Sequence, residues 1–126
     1  MDLQKFSFQN KSPIRCTNQS DTIWFVGKDI AKMLEYQNTA QAIRLQVEPE
    51  DKLSAKDLGV LLNSTLDKQT ILINESGLYS LILSSKKPEA KIFERWITKE
   101  VIPSIRRTSL FSTKSNLDIV TEKKKI

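Results

Sequence analysis

Histidine is absent from this sequence, and cysteine occurs once, at Cys16. Without histidine there is no Ser-His or Cys-His pair for nucleophilic catalysis, and one cysteine cannot complete a four-ligand zinc site. A single cysteine also excludes an internal disulfide, which favours a reducing, intracellular setting. We therefore expect no catalytic residue, no metal site and no cofactor.

Long apolar runs are missing as well. A membrane-spanning helix needs about 18 consecutive apolar residues, and the sequence contains no such run. Asp2, Gln4 and Lys5 stand near the start, where a secretory signal would carry a basic block and then an apolar one. We expect no membrane partner and a protein that stays in the compartment where it is made.

Glycine and proline are scarce, with three and four residues among 126. A chain of this length has room for one hydrophobic core. We assign residues 1–108 to a single domain. Residues 109–126 are rich in Ser, Thr and Lys without periodicity, which predicts a flexible linker or tail.

Positive charge is concentrated in the last third of the chain. Residues 1–85 hold 9 Lys and Arg against 10 Asp and Glu, whereas residues 86–107 hold 7 against 3. Clustered charges add their potentials within a Debye length of about 8 to 10 Å, so this segregation favours a surface that binds a polyanion. A basic helix that binds nothing is the alternative.

Periodicity predicts an α+β fold. Short alternating bursts within residues 6–26 indicate two or three antiparallel strands, and helical spacing follows from Lys28 to Tyr36. Thr39 is the predicted N-cap of a second helix, which should bury Ala42, Ile43 and Val47 and which Pro49 stops. Residues 48–69 are predicted to form a loop with one short helix or strand.

The second half is predicted to contain a strand and two helices. Residues 70–73 form the strand, and Asn74 or Ser76 caps the helix that follows. Pro88 suits the first turn of the last helix, and Pro103 should kink or end it around residues 99–102. The apolar stripe expected along that helix consists of Ile92, Phe93, Trp96, Ile97, Val101 and Ile105. The predicted architecture is a small N-terminal antiparallel β-ribbon, a helix-turn-helix-like pair, one returning strand and two C-terminal helices.

Three stretches resemble the Bro-N domain, which is found at the N-terminus of BRO proteins of large DNA viruses and of prophage antirepressors. They are WFVGKDIAKMLEYQNTAQAIR, TILINESGLYSLILSSKKPEAKIFERWI and KEVIPSIRRT. The match extends over residues 6–108 in order and at family spacing, which is far more specific than a lone motif. The resemblance implies a DNA-binding domain of a viral or phage regulatory protein, usually with a separate C-terminal domain. It implies an intracellular location: bacterial cytoplasm for a phage protein, host cytoplasm or nucleus for a protein of a eukaryotic virus.

Glu35 departs from the family pattern, which commonly has glycine at this turn. Glycine permits the left-handed conformation that ends a helix, and another residue there costs on the order of 1 kcal/mol if the conformation is kept. We therefore expect a turn between the two helices that differs from that of the family.

The polar side chains of the second helix are the candidate base-reading groups. Arg pairs with guanine, and Asn or Gln with adenine, in the major groove. The candidates are Asn38, Thr39, Gln41 and Arg44. Tyr36, in the preceding turn, is the one aromatic ring expected to be exposed, whereas the others fit core patterns. A solvated helix face is the alternative.

Basic side chains elsewhere are candidate phosphate contacts, which add affinity without sequence preference. The candidates are Lys28, Lys32, Lys86, Lys87, Lys91, Arg95, Lys99, Arg106 and Arg107. Lys91, Arg95 and Lys99 recur every four residues and should form a stripe on one helix face. Glu89, Glu94 and Glu100 have the spacing to neutralise that stripe through ion pairs.

Two functions remain open on the sequence. The first is binding of DNA, double- or single-stranded. The second is binding of a phage or host regulatory protein, as an antirepressor would, without DNA; a homo-oligomer is compatible with either. An enzymatic role would rest on Glu48, Glu50 and Asp51 as ligands of a magnesium ion, and a solvated loop is the commoner explanation of such a cluster.

Overall fold

The computed structural model describes residues 3–9, 11–59 and 66–112. The strands are β1 (Gln4–Phe6), β2 (Ile14–Gln19), β3 (Thr22–Val26), β4 (Lys52–Ser54) and β5 (Ile71–Ile73). The helices are α1 (Gly27–Met33), α2 (Thr39–Gln46), α3 (Ala55–Leu58), α4 (Glu75–Ser84), α5 (Glu89–Trp96) and α6 (Ile102–Ser112). A 3₁₀ turn covers Pro49–Asp51, and a π-helical turn, Ile97–Val101, joins α5 to α6. Most of the predicted tail, residues 113–126, lies outside the described residues.

The five strands form one antiparallel sheet in the order β1-β2-β3-β5-β4. β2 and β3 make a hairpin through Ser20 and Asp21, whose positive φ angles of 50° and 67° fit the two-residue turns that match strand twist. The α+β prediction is confirmed. The sheet has one strand more than expected, because β4 pairs with β5 and so makes two returning strands.

β3 is the central strand, and both of its faces are buried. Ile23 and Phe25 pack into the main core with α1, α2 and α4, whereas Trp24 and Val26 pack on the opposite face with Ala55 of α3. Alternation of side chains across a strand produces this division. The helices that carry most of the candidate site therefore share one face of the sheet.

The C-terminal helices continue past Pro103, so the predicted early end is wrong, and the irregularity at residues 99–102 overlaps a π turn. The π turn widens the helix just before this proline, and such turns accommodate breaks in the α-helical hydrogen-bond ladder. The widening also changes the buried stripe. Phe93, Ile97, Val101 and Ile105, at most 2% exposed, follow a spacing of four residues, which in a regular α-helix would drift by about 40° at each step. Ile92, expected in the core, is 53% exposed.

Glu35 adopts the left-handed conformation, with φ of 67°, although it is not glycine. The turn therefore keeps the backbone that glycine would favour, and the expected difference from the family is not found at this residue. Its carboxylate also forms ion pairs with Lys11 (Oε2 to Nζ, 3.2 Å) and Lys87 (Oε1 to Nζ, 3.8 Å). All three side chains are about a third to a half exposed, so each pair contributes at most about 1 kcal/mol.

Glu35→Gly and Glu35→Ala isolate the cost of this turn. Both variants lose the two ion pairs, but only glycine removes the steric strain of a positive φ. We expect the glycine variant to have the higher free energy of unfolding by about 1 kcal/mol. Urea unfolding of the two variants measures the difference. A more stable alanine variant would show that this backbone conformation carries no such cost.

Candidate nucleic-acid interface

An ion pair with Arg15 of β2 fixes the start of α1. Asp29 accepts hydrogen bonds from the Arg15 backbone N (3.0 Å), Nε (2.8 Å) and Nη2 (3.0 Å). The hydrogen bond to Asp29 raises the pKa of Arg15 above its ordinary value. Because Asp29 lies in the first turn of α1, its negative charge also complements the helix dipole. This anchor holds the outward-facing Lys28 and Lys32, which are exposed.

The N-cap of α2 lies one residue earlier in the chain than predicted. Asn38, rather than Thr39, is the N-cap, and its Oδ1 accepts from the Gln41 backbone N at 3.0 Å. Asn38 therefore stabilises the helix through its Oδ1, and its amide nitrogen can donate to another partner. Ala42, Ile43 and Val47 are buried as predicted.

The outer face of α2 carries the candidate base-reading groups. Gln41 and Arg44 are exposed, as side chains that contact bases must be. Gln46, also exposed, accepts a hydrogen bond from the Ser84 hydroxyl through Oε1 (2.8 Å), which ties α2 to α4. α1 and α2 pack against each other and are joined by residues 34–38. This arrangement has the outline of a helix-turn-helix with a slightly long turn.

A cleft of about 540 Å³ opens beside the first turn of α2. Its rim brings together Lys28 of α1, Thr39 and Arg44 of α2, and Lys52 of β4. Lys52 was not among the predicted site residues. Its Nζ donates to the Ile43 backbone O at 3.3 Å, which also accepts from the Val47 backbone N at 3.1 Å, so Lys52 adds a second donor at the end of α2. A charged side chain on an edge strand gave no sequence signal that it would meet α2.

The α4–α5 connection lies against the α1–α2 turn. The Lys87 ion pair with Glu35 joins the two, and Tyr36 Oη donates to the Leu81 backbone O at 2.8 Å. Tyr36 is half-buried, and burial raises its pKa, so the expectation of an exposed ring is wrong. Lys86 is exposed, and Lys32 lines a second, smaller depression with Lys11 and Glu35.

Lys91, Arg95 and Lys99 are exposed on α5 and the π turn. Among the residues that the structure describes, none of these three forms an ion pair, and the same holds for Glu89, Glu94 and Glu100. Within the described residues, no ion pair with these glutamates neutralises the stripe. Further along, Arg106 Nη2 pairs with Glu75 Oε1 (2.8 Å), and Arg107 Nη2 donates to the Ser104 hydroxyl (3.2 Å).

The fold brings the predicted residues together in two groups rather than one. The first comprises Lys28, Thr39 and Arg44 around the cleft, and the second comprises Lys91, Arg95 and Lys99 on the last helices. α4 packs against both α2 and α5 and thereby links the two groups. From the basic segment 86–107, Lys87 forms an ion pair with Glu35 and so connects this segment to the α1–α2 turn.

Among the carboxylates considered as magnesium ligands, Asp51 has a structural role. Asp51 Oδ1 accepts from Asn74 Nδ2 at 3.2 Å, which supports the start of α4. Within the described ranges, no three His, Cys, Asp or Glu side chains are grouped so that they could hold a metal ion. No helix among those ranges has the length and apolar character needed to cross a membrane.

Fold and surface together define a small α+β domain with unpaired cationic side chains on one side of a central sheet. The BRO family N-terminal domain model matches residues 13–103, which is most of the chain. The protein belongs to the Bro-N family.

Relatives come from large DNA viruses and from a bacterium. The chain is 33% identical over 123 residues to the Bro-N domain-containing protein 289L of Invertebrate iridescent virus 6, covering 86% of this chain and 30% of that protein. It is 35% identical to Bro-N domain-containing protein L2 of Acanthamoeba polyphaga mimivirus (71% of this chain, 39% of L2) and to an uncharacterised protein of Haemophilus influenzae (70% and 42%). The chain thus spans less than half of each relative. No solved structure matches.

Proposed function

We propose that this domain binds duplex DNA as part of a viral or phage regulatory protein acting inside the host cell, and that it has no catalytic activity. The last helices would contact phosphates, and α2 would approach the groove. Bro-N membership supports a regulatory, DNA-binding type of domain. The observation that carries the proposal is the absence, among described residues, of ion pairs at Lys91, Arg95 and Lys99.

Unpaired surface cations displace the counterions condensed on DNA when they contact its phosphates. Lys91 and Arg95 lie one helical turn apart on α5 and are exposed, so both can reach the same backbone. Arg106 and Arg107, which already have partners at Glu75 and Ser104, are weaker candidates. Lys86 and Lys87, at the start of the same segment, would extend the contact toward the α1–α2 turn.

α2 supplies side chains that suit direct contact with bases. Gln41 and Arg44 lie three residues apart and are exposed, while the opposite face of the helix is buried in the core. Helix-turn-helix proteins use the second helix in this way. Lys28 and Lys32 on α1 would then be placed to contact the phosphates that border the groove.

Duplex affinity measured by fluorescence anisotropy at two salt concentrations tests the proposal. We expect affinity to fall steeply with salt, and Lys91→Ala/Arg95→Ala to weaken binding at low salt and to reduce the slope of log affinity against log salt by about 2. Arg44→Ala should weaken binding to a preferred sequence by about tenfold or more, through loss of base contact.

Lys56→Ala is the matched control. Lys56 is an exposed lysine on α3, and its neighbour Ala55 packs on the sheet face opposite α1 and α2. We expect this variant to bind as the wild type does. Absence of any duplex affinity at low salt would refute the proposal, and equal loss in all variants would refute the assigned surface.

A protein-binding module is the second candidate, and exposed apolar side chains favour it. Leu83 on α4 is 82% exposed and Leu45 on α2 is 65% exposed. Large apolar groups left in solvent often mark interaction sites. This candidate covers a regulatory protein or a second copy of the chain as partner, and it becomes the leading one if the duplex experiment finds no affinity.

A further inference from the structure

The cleft beside α2 differs in shape and lining from a surface that only contacts duplex phosphates. Its volume of about 540 Å³ falls within the range of about 300 to 1,000 Å³ that is typical of small-ligand sites. Its walls come from α1, α2, β4, β5 and the residues before β5. A phosphate contact needs no such concavity, because the backbone of a duplex is fully exposed.

Three cationic side chains, Lys28, Arg44 and Lys52, line the cleft against one carboxylate, that of Asp67. Within the part of the chain that the structure describes, none of the three cations forms an ion pair. Lys52 spends one of its three ammonium donors on the Ile43 carbonyl. The charge of the cleft therefore selects an anion and disfavours a metal ion.

The interior of the cleft is chiefly apolar, with Ala40, Ile43 and Ile71 contributing to it. A free phosphate would leave that apolar surface unused. A nucleotide satisfies both properties, because it joins an anionic phosphate, through a sugar, to a base with apolar faces. The guanidinium plane of Arg44 can stack on a base, and the polar edge of a base has Gln69 and Thr70 within the same lining.

We propose that this cleft binds an unpaired nucleotide, with its base against Ile71 and the guanidinium of Arg44 and its phosphate between Lys28 and Lys52. A paired base cannot enter, because it is held inside the duplex stack, whereas a bulged or single-stranded one can be turned out into a pocket. The inference rests on the proposed DNA binding and adds a structural preference to it: DNA with an unpaired nucleotide over fully paired DNA.

Three matched probes test this preference. They are a fully paired duplex, the same duplex with one unpaired thymidine, and the same duplex with an abasic unit at that position. We expect the thymidine bulge to bind about tenfold more tightly than the other two. The abasic probe is as flexible as the bulge but has no base, so an equal gain with it would overturn the inference by showing that bending is recognised instead.

Two substitutions that fill the cleft from different elements complete the test. Ala40→Trp on α2 and Gln69→Trp before β5 both start from exposed residues of the lining, so each adds bulk without removing a core side chain or a charge. We expect both to abolish the tenfold gain. Leu45→Trp places the same ring on an exposed site of α2 outside the cleft lining and should keep it. A gain that survives both filling variants would overturn the inference.

Failure of the inference differs visibly from failure of the proposed function. If the wild type binds all three probes equally and with steep salt dependence, DNA binding stands and the cleft preference falls. If thymidine monophosphate alone shifts the NMR signals of cleft residues and both tryptophan variants prevent it, while no duplex binds, the nucleotide site stands and duplex binding falls. Competition of thymidine monophosphate with the bulged probe would extend the site to free nucleotides, and lack of competition would confine it to DNA strands.

Discussion

Replacing Asp29 with alanine is expected to lower the free energy of unfolding by about 3 kcal/mol. The carboxylate accepts three hydrogen bonds from Arg15, two of them from the guanidinium, and it is only 12% exposed. Removal of one partner of such a pair leaves the other charge and a backbone N–H without their acceptor, which costs far more than loss of a surface pair. The favourable interaction with the α1 dipole is lost as well.

Urea unfolding at neutral pH measures this effect, and Asp57→Ala is the matched control. Asp57 also lies in the first turn of a helix, α3, but its side chain is exposed and takes part in no ion pair among the described residues. We expect less than about 0.5 kcal/mol there. Asp29→Asn, which keeps an acceptor but loses the charge, should be intermediate. If Asp29→Ala and Asp57→Ala cost the same, the anchor between β2 and α1 contributes nothing specific.

The second large effect is a loss of stability at alkaline pH that depends on Cys16. Burial, and to a lesser degree the charge of Asp29, raises the pKa of the Cys16 thiol from 9.0 to about 12. A group whose pKa is raised in the folded state contributes stability in full below its unfolded pKa and loses that contribution as pH rises toward the folded value. The window is therefore pH 9 to 12. Between pH 9 and pH 11 the loss is about 2 kcal/mol.

Cys16→Ala separates this thiol from the other alkaline effects. The pKa values of Tyr36 and Tyr79 are also raised, chiefly by burial, and act in the same direction in both proteins. We expect the alanine variant to be less stable than the wild type at pH 8, because a buried side chain is shortened. Its further loss on moving to pH 11 should be smaller by about 3 kcal/mol. Identical pH dependence in the two proteins would contradict the role of the thiol.

Patterns that depend on neighbours in sequence were predicted well. Strand alternation at Ile23 to Val26, the cap at Asn74 and the buried positions of α2 are all found in the structure. Asn74, for example, accepts from the Gly77 backbone N at 2.9 Å. Each of these follows from a period or a hydrogen bond that spans at most a few residues. Three family-like stretches likewise sufficed to predict the Bro-N family.

Features that depend on tertiary contacts were missed. Residues 48–69 were expected to form a loop with one short helix or strand, whereas both β4 and α3 are found there. β4 is short and polar, and its pairing with β5 stabilises a strand that its own sequence does not place. The π turn at Ile97–Val101 keeps the stripe from Phe93 to Ile105 on one face, and no local pattern distinguishes it from an α-helix. Glu35 keeps a left-handed turn that its residue type disfavours.

The sequence by itself determined the fold class, the family and the types of side chain available to meet DNA. The tertiary structure alone decided which of those side chains stand together. Lys28, Arg44 and Lys52 belong to a helix, a second helix and an edge strand, and they line one cleft because α1 packs against both α2 and β5, and β5 pairs with β4. The order of charged residues along a chain does not give the distances between them in the folded structure. The basic stripe was visible in one helix, whereas the cleft exists only once the chain has folded.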